Sequence, residues 1–489
     1  MKRLILLVMI LVIVFFSGCS GKNKDSSENS REVSLCMSQI RFGTSVDEKL
    51  MRSWVEVIEK ATNTKIAIIA PTHNDFNDKL NILFASGDYP DIIRPQQAFD
   101  TVSQYAVRGY LQPVTKFIND DPRFAQVKDI DLSMYTSNGE IYGIPAGRGG
   151  PAKIIWFRQD MIDKYNLTIK ESMTIDEFVT ELRKVNKRET IPFTFPKHIV
   201  NFQIFYNFFG AYGGILPNED GVFYDGIQTE EMKQALLWVK SLYDEGLMDN
   251  EFITNENVNM REKMCTGKAV ACVDYTTRYS YYIQSSKEVG APTEFVPVYT
   301  LTGPGGNYGN LNESGGEALC ISSKNKNVEA SMDIIHFLFF TDEGRKLEAL
   351  GVEGIHYDII NGFLVPNPAA VTTGYTIMDT FLIDGWVEVP FPELGFSFQN
   401  IPDDVLSRMH TVIKTSLEPR YLGPIIKIPM GTSVIYDENI ASYNAYLYEM
   451  ATKIVMGTQG IDAAYAAYTR FWKSINGDDM LKQLNNTQR

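Results

Sequence analysis

Aromatic and charged side chains stand close together at two places in this 489-residue sequence. Trp156 is followed by Arg158, and Asp274 and Tyr275 are followed by Arg278. An aromatic face can stack on the C–H surface of a sugar ring, and planar polar groups can bond to its hydroxyls. If Trp156 and Arg158 lie on a strand, they share one face, because strand side chains alternate with a period of two. These residues are candidates for binding carbohydrate. The alternative places Trp156 in the core and Arg158 in a structural ion pair.

Two of these candidate positions follow predicted strands. The apolar run 269–273 predicts a strand directly before Asp274, and Arg94 follows the strand predicted at 91–93. Polar side chains at the carboxyl end of a strand suit a binding cleft. We therefore expect Arg94 and the residues after 273 to face a common cleft.

Signatures of catalysis and of metal binding are missing. The sequence has no His-Glu-x-x-His motif and no Gly-x-Ser-x-Gly elbow, and segment 303–306 lacks the ending of a phosphate loop. Asp129, Asp131 and Ser133 have the spacing of a calcium loop, but Met134 occupies the position where its turn needs glycine. We expect no cofactor, no metal and no enzymatic activity. A glycosidase carboxylate pair stays open among the 60 acidic residues.

Composition restricts the partners. The formal charge of −14 argues against nucleic acid, which needs a basic surface. Apolar residues at 44% are enough for a globular core. Cys36, Cys265, Cys272 and Cys320 each lie in an apolar stretch, so we expect buried free thiols, with disulfide pairing as the alternative.

The first 31 residues have the pattern of an export signal and a tether. The positive start is followed by the apolar run 4–16, which is shorter than the ~20 residues of a spanning helix. Small residues then precede Cys19 and resemble a bacterial lipobox, so residues 1–18 are predicted to be a signal peptide and Cys19 to carry lipid. Residues 19–31 are polar and predict a flexible tether. A plain signal peptide with a coincidental cysteine is the alternative.

The elements after the tether alternate. Strands are predicted at 32–41, 65–70 and 91–93, with amphipathic helices at 47–61 and 75–85 between them. This order predicts an α/β domain with a largely parallel sheet. Farther along, Asn138-Gly139 predicts a hairpin, and Thr174 with Glu177 predicts a capping box at a helix start.

Six segments, in order along the chain, resemble the extracellular solute-binding proteins of ABC importers, and in particular the oligosaccharide-binding lipoproteins, which are similar in plan to maltose-binding proteins. The segments are 78–93, 109–115, 138–145, 155–160, 235–247 and 351–357. The resemblance implies an α/β, two-lobed periplasmic-binding-protein type II fold with a ligand cleft between the lobes. It places lobe I at 32–147 and 312–355, and lobe II at 148–311 and 356–489.

The resemblance also implies a function and further site residues. The protein would be a monomer on the extracytoplasmic face of the cell membrane, which captures an oligosaccharide by hinge closure and docks on ABC permease subunits. Tyr206 and Tyr212 would supply stacking rings, and Glu353 and His356 would lie at the third crossover. A uronate is open as ligand, because Arg158 and Arg278 could pair with its carboxylate. The rival hypotheses are a binding protein for a peptide or another solute, a secreted glycosidase, and a sensor for a membrane kinase.

Overall fold

The computed structural model contains strands and helices in alternation over most of the chain. The residues it describes are 31–38, 47–72, 75–95, 98–129, 132, 135–145, 153–197, 203–218, 220–309, 318–373, 396–398, 401–416, 418, 428 and 432–486. The signal sequence, Cys19, the tether up to residue 30, and the calcium-like positions Asp131 and Ser133 lie outside the described residues.

The strands are mostly short. They are β1 (Glu32–Cys36), β2 (Lys65–Ile69), β3 (Ile92–Ile93), β4 (Thr136–Ser137), β5 (Glu140–Ile141), β6 (Gly143–Pro145), β7 (Lys153–Arg158), β8 (Ser172–Thr174), β9 (Ile191–Thr194), β10 (Ile215–Pro217), β11 (Phe223–Asp225), β12 (Ala269–Tyr275), β13 (Phe295–Val298), β14 (Thr300–Gly303), β15 (Gly306–Gly309), β16 (Ala318–Ile321), β17 (Tyr357–Ile360), β18 (Phe363–Pro366) and β19 (Ser397–Phe398).

The helices cover both the middle and the end of the chain. They are α1 (Glu48–Thr62), α2 (Phe76–Ser86), α3 (Ala98–Val107), α4 (Thr115–Asp120), α5 (Gln159–Tyr165), α6 (Ile175–Arg183), α7 (Gln203–Asn207), α8 (Glu230–Asp244), α9 (Asn257–Cys265), α10 (Tyr279–Glu288), α11 (Val328–Phe340), α12 (Asp342–Leu350), α13 (Pro368–Thr373), α14 (Asp403–Ser416), α15 (Val434–Val455), α16 (Ile461–Ser474) and α17 (Gly477–Asn486). Short 3-10 helices span Pro122–Asp129, Gly226–Gln228 and Thr276–Arg278.

Two sheets organise the fold. The first sheet has the order β2-β1-β3-β16-β6, with β1 parallel to both β2 and β3. The second sheet has the order β13-β7-β12-β9, in which β9 and β12 are parallel and β7 runs against both of its neighbours. Smaller sheets and hairpins join the remaining strands. The predicted α/β pattern with parallel strands is therefore present in the fold.

Helices cover both faces of each sheet. Val33 and Leu35 of the first sheet pack with residues of α1 and α11, whereas Cys36 and Ile93 pack with residues of α2 on the opposite face. In the second sheet, one face packs with α6, α8 and α15, and the other face packs with α9, α10 and α14. Strands buried on both faces read as continuous apolar runs, as β7 and β12 do.

Several local predictions are confirmed. The structure has a helix at Glu48–Thr62 where 47–61 was predicted, with Asp47 accepting hydrogen bonds from the first turn. Asn138 and Gly139, with φ of 51° and 78°, form the turn between β4 and β5. Thr174 and Glu177 form the capping box of α6. Each pattern depends on local geometry alone, which is why the sequence sufficed.

All four cysteines among the described residues are buried and free, as predicted. Burial raises the pKa of the Cys36 thiol to about 12 and that of Cys265 to about 11, because a thiolate is poorly solvated there. These thiols are therefore unreactive. Within the described part of the chain, no helix combines the length and hydropathy that crossing a membrane requires.

The chain enters the first sheet at Arg31, directly before β1. Its guanidinium pairs with Asp333 of α11 and also donates a hydrogen bond to the Thr62 carbonyl at the end of α1. Asp333 pairs with Arg123 as well, at 2.8 Å. Arg31 is thus held by α1 and α11 at the amino end of β1.

Candidate ligand-binding site

The chain leaves the first sheet after β6 and returns to it at β16, in both cases at the edge where the parallel strands of that sheet end. β6 ends at Pro145 opposite Ala318, where β16 begins, and this is the edge at which β1, β2 and β3 end. In the second sheet, β7 begins at Lys153 opposite Tyr275, the last residue of β12. β6 thus ends at the carboxyl edge of the first sheet, and β7, the next strand, begins at the carboxyl edge of the second. α/β sheets bind ligands at this edge, so the candidate site lies between the two.

The carboxyl edge of the second sheet carries an aromatic ring and two cations. The Lys153 ammonium lies 4.8 Å from the centroid of the Tyr275 ring, a cation–π distance. Arg278, at the end of the 3-10 helix that follows β12, is exposed. In the part of the chain that the structure describes, no carboxylate forms an ion pair with Arg278. A tyrosine ring, an ammonium group and a guanidinium group thus lie at the same edge of the sheet.

Asp274 holds this edge in place. Its side chain is 2% exposed and accepts two hydrogen bonds from Arg261, at 2.7 and 2.8 Å. The Tyr282 hydroxyl donates to it at 2.8 Å, and the Tyr275 backbone N–H donates at 2.9 Å. Asp274 was predicted to bind ligand. In the structure the Asp274 side chain is buried, and its oxygens accept four hydrogen bonds from protein groups.

A second buried carboxylate fixes the end of β9. Asp249 accepts hydrogen bonds from Thr194, Asn255 and Lys263, at 2.7, 2.7 and 2.8 Å. Burial acts to raise the pKa of Asp249, but the ammonium of Lys263 and the other donors outweigh it and hold the pKa below its usual value. Asp249 is therefore ionised, and the end of β9 is fixed by a charged network.

Trp156 and Arg158 lie in the core of the second sheet. Both side chains are fully buried. The Trp156 ring stacks on Tyr279, with 5.6 Å between ring centroids, and its indole N–H donates to the Tyr275 carbonyl at 3.4 Å. Arg158 is bonded to Asp160 and to backbone carbonyls. These contacts match the structural alternative that the sequence left open. A ligand role for either residue stays a prediction.

Tyr206 and Tyr212 differ in exposure. Tyr206 is fully buried in the core on the α8 and α15 face, and burial raises the pKa of its hydroxyl well above the usual value. Tyr212 is half-buried. Its carbonyl would lie 2.3 Å from a Cβ at residue 226, so only glycine fits there. Of the two predicted stacking rings, Tyr212 is the one that solvent reaches.

Arg94 directly follows β3 at the carboxyl edge of the first sheet. Its guanidinium donates to Glu348 of α12 at 2.9 Å, and both side chains are buried. The guanidinium also lies 5.5 Å from the ring centroid of Phe339. Arg94 therefore lies at the predicted edge, but its guanidinium points into the protein interior and pairs with Glu348.

Glu353 and His356 lie in the turn after α12. Glu353 is exposed, whereas His356 is fully buried. The Val352 N–H donates to His356 Nδ1 at 2.9 Å, which requires Nδ1 to be unprotonated. Burial lowers the pKa of His356 to about 4, because it disfavours the charged imidazolium. His356 therefore stabilises the turn as a neutral hydrogen-bond acceptor.

This burial predicts a pH dependence of stability. In the unfolded chain His356 titrates near 6.5, but in the folded chain near 4, so its contribution is complete above pH 6.5 and is lost as the pH falls towards 4. The expected loss in the free energy of unfolding is about 3 kcal/mol, because one pKa unit corresponds to about 1.4 kcal/mol. Urea unfolding of the wild type and His356→Asn should be compared between pH 7 and pH 4.5.

The asparagine variant isolates His356 from the carboxylates that also titrate in this range. The Oδ1 atom of an asparagine at position 356 can accept the hydrogen bond from the Val352 N–H, but the amide does not become protonated in this pH range. We expect the wild type to lose stability more steeply with falling pH than the variant does. Equal slopes would mean that His356 binds its proton equally well in both states.

The structure thus brings Asp274, Tyr275 and Arg278 to one edge and distributes the other predicted residues over the core and the other sheet. Sequence reasoning missed Lys153 as a partner of Tyr275. Its position on the same strand as Trp156 was visible, but the cross-strand register that pairs it with Tyr275 was not. Among the described residues, no group of histidine, cysteine and carboxylate side chains is arranged to hold a metal ion.

Curated relatives match most of the chain. It is 22% identical to "Lipoprotein LipO" of Bacillus subtilis, over 97% of this chain and 96% of that protein. It is 23% identical to the "Polygalacturonan/rhamnogalacturonan-binding protein YtcQ" of the same organism, over 73% of this chain and 74% of that protein. Both identities are low, but the first match covers nearly all of the chain, including both sheets.

Solved structures share the fold. An alginate-binding protein, AlgQ2, superposes with a TM-score of 0.67 at 21% identity, over 94% of this chain and 99% of that one. The N-glycan transport solute-binding protein of Streptococcus pneumoniae has a TM-score of 0.62 at 15% identity, over 94% and 98%. The predicted fold, α/β with two lobes, is confirmed by these superpositions. Residues 53–348 match the family described as bacterial extracellular solute-binding proteins, and the chain belongs to that family.

Proposed function

We propose that this protein is the lipid-anchored binding component of an ABC importer and captures an oligosaccharide that carries uronate residues. Lobe I would comprise 32–147 and 312–355, and lobe II 148–311 and 356–489. Ligand would bind between the two carboxyl edges and stabilise a closed form that docks on the permease subunits. The protein would act as a monomer and would not cleave its ligand.

The edge formed by Lys153, Tyr275 and Arg278 carries this proposal. A tyrosine ring can stack on a sugar ring, and a guanidinium can bond a carboxylate through two parallel hydrogen bonds. Arg278 is an exposed cation on a chain of net charge −14. A cation at a cleft in an otherwise acidic protein favours an anionic ligand over the neutral sugar of the same shape.

The names of the relatives support the same ligand class. One curated relative is named for binding polygalacturonan and rhamnogalacturonan, and one structural neighbour is named for binding alginate. These names describe other proteins. They make uronate oligosaccharides the first ligands to test.

The test compares an oligogalacturonate with its methyl ester of the same length, since esterification removes the charge and keeps the sugar ring. Calorimetric titration of residues 20–489 should give tighter binding of the acid than of the ester. Chromatography of the recovered sugar should show no products. Binding of neither form, with binding of peptides instead, would refute the sugar proposal. Released fragments would identify a glycosidase.

A variant at Arg278 should abolish the preference. Hydrogen bonds to charged groups contribute about 1.5–3 kcal/mol, so Arg278→Gln is expected to weaken binding of the acid at least about tenfold and of the ester much less. The matched control is Arg188→Gln, which changes an exposed arginine in the loop between α6 and β9. An unchanged ratio of the two affinities in Arg278→Gln would remove Arg278 from the site.

A further inference from the structure

Helix α9 holds the ends of two adjacent strands at the candidate edge. Arg261, on this helix, is joined to Asp274 at the end of β12, and Lys263 is joined to Asp249 beside the end of β9. Both carboxylates are buried, at 2% and 3% exposure of their side chains. One helix therefore neutralises two buried carboxylates beneath the edge.

The Arg261–Asp274 pair is a fork of two parallel hydrogen bonds, through Nε and Nη2. This geometry fixes the direction of the carboxylate as well as its distance, which a lysine ammonium cannot do. The same Asp274 oxygen that faces Nη2 also accepts the Tyr275 backbone N–H. The orientation of the Asp274 carboxylate therefore affects the position of the Tyr275 backbone, which directly precedes the 3-10 helix Thr276–Arg278.

α9 is itself fixed at its end. Arg158 donates to the carbonyls of Met264 and Cys265 in the last turn of α9, at 2.5 and 3.0 Å. Tyr282 of α10 holds Asp274 from the other side. α9, Asp274 and the end of β12 are all held by other contacts. A small change in the Arg261–Asp274 hydrogen bonds is therefore expected to move the 3-10 helix Thr276–Arg278 and to leave the sheet in place.

We infer that Arg261, acting through Asp274, is a positioning residue that sets the carboxylate selectivity of the site. The inference rests on the proposed function. Arg261 does not contact ligand in this assignment; it directs the turn that carries Arg278. Lysine keeps the charge that neutralises Asp274 but cannot form the fork, so Arg261→Lys should reduce selectivity if the geometry of the fork sets it.

The experiment measures the ratio of the dissociation constants for methyl-esterified and free oligogalacturonate. Arg261→Lys should lower this ratio about threefold to tenfold, because directly coupled residues interact by amounts of this order. In an Arg278→Gln background, Arg261→Lys should change the ratio no further. A merely structural role would weaken both ligands alike and leave the ratio unchanged.

The matched control is Arg183→Lys. Arg183 forms the same bidentate fork with Glu245, at 2.7 and 2.8 Å, on the exposed surface of the same lobe. It should leave the ratio unchanged. If wild type prefers the acid and Arg261→Lys keeps that preference, the positioning role is wrong and the proposed function stands. If wild type binds neither ligand, or both equally, the proposed ligand class fails and the inference fails with it.

Discussion

Arg158→Met is expected to lower the free energy of unfolding by about 3–5 kcal/mol, because it leaves the buried carbonyls of Met264 and Cys265 without this donor, at about 1–3 kcal/mol each. The Arg158 guanidinium uses its donors on five acceptors: two Asp160 oxygens and the carbonyls of Met264, Cys265 and Ala291. Methionine fills part of the volume but bonds to none of them. The carbonyls at the end of α9 would then be buried without this donor.

Urea unfolding measures this loss, with Arg183→Met as the control. Arg183 also makes a bidentate pair, but on the exposed surface, where an ion pair contributes about 1 kcal/mol or less. If Arg158→Met unfolds like the wild type and instead loses only its ligand affinity, Arg158 binds ligand, as its position beside Trp156 first suggested.

The second large effect is expected at the carboxyl end of β3. Arg94 and Glu348 form an ion pair whose side chains are 6% and 0% exposed. Arg94→Met removes the guanidinium from beside a buried carboxylate and should lower the free energy of unfolding by about 3–5 kcal/mol. Glu348→Met should be similarly destabilising, since it leaves a buried guanidinium without this carboxylate.

The double variant distinguishes a buried pair from two independent side chains. Replacing both members of a buried pair with apolar residues is often close to neutral. Arg94→Met with Glu348→Met should therefore lose much less stability than the sum of the two single losses. Chemical unfolding of the four proteins completes this cycle. Additive losses would show that the two charges do not depend on each other.

Local patterns of the sequence translated directly into structure. The Thr174 capping box and the Asn138-Gly139 hairpin were readable because every interaction in them lies within a few residues. The α/β order was readable because periodicity reports which side of an element is buried. Resemblance to a known family then supplied the pairing of distant segments, which periodicity alone does not contain.

The site was harder to read because burial of an arginine depends on its distant neighbours. The period of β7 correctly predicts that Trp156 and Arg158 share a face. It does not say that α9, α10 and α14 cover this face. Asp274 has the same ambiguity: at a strand end it suits a cleft, but Arg261, 13 residues earlier, turns it inward. Lys153 could be assigned only with the register of β7 against β12.

The attachment at Arg31 bears on how the protein is presented to its surroundings. Arg31 is fastened to Asp333 where β1 begins, whereas the proposed ligand cleft lies where β1 ends. If Cys19 carries lipid, as proposed, the tether to the membrane joins the first sheet at the edge opposite the proposed ligand cleft. Twelve residues reach at most roughly 40 Å. A flexible tether of that length would let the molecule rotate, so the edge that binds ligand could face away from the membrane during capture and towards the permease during delivery.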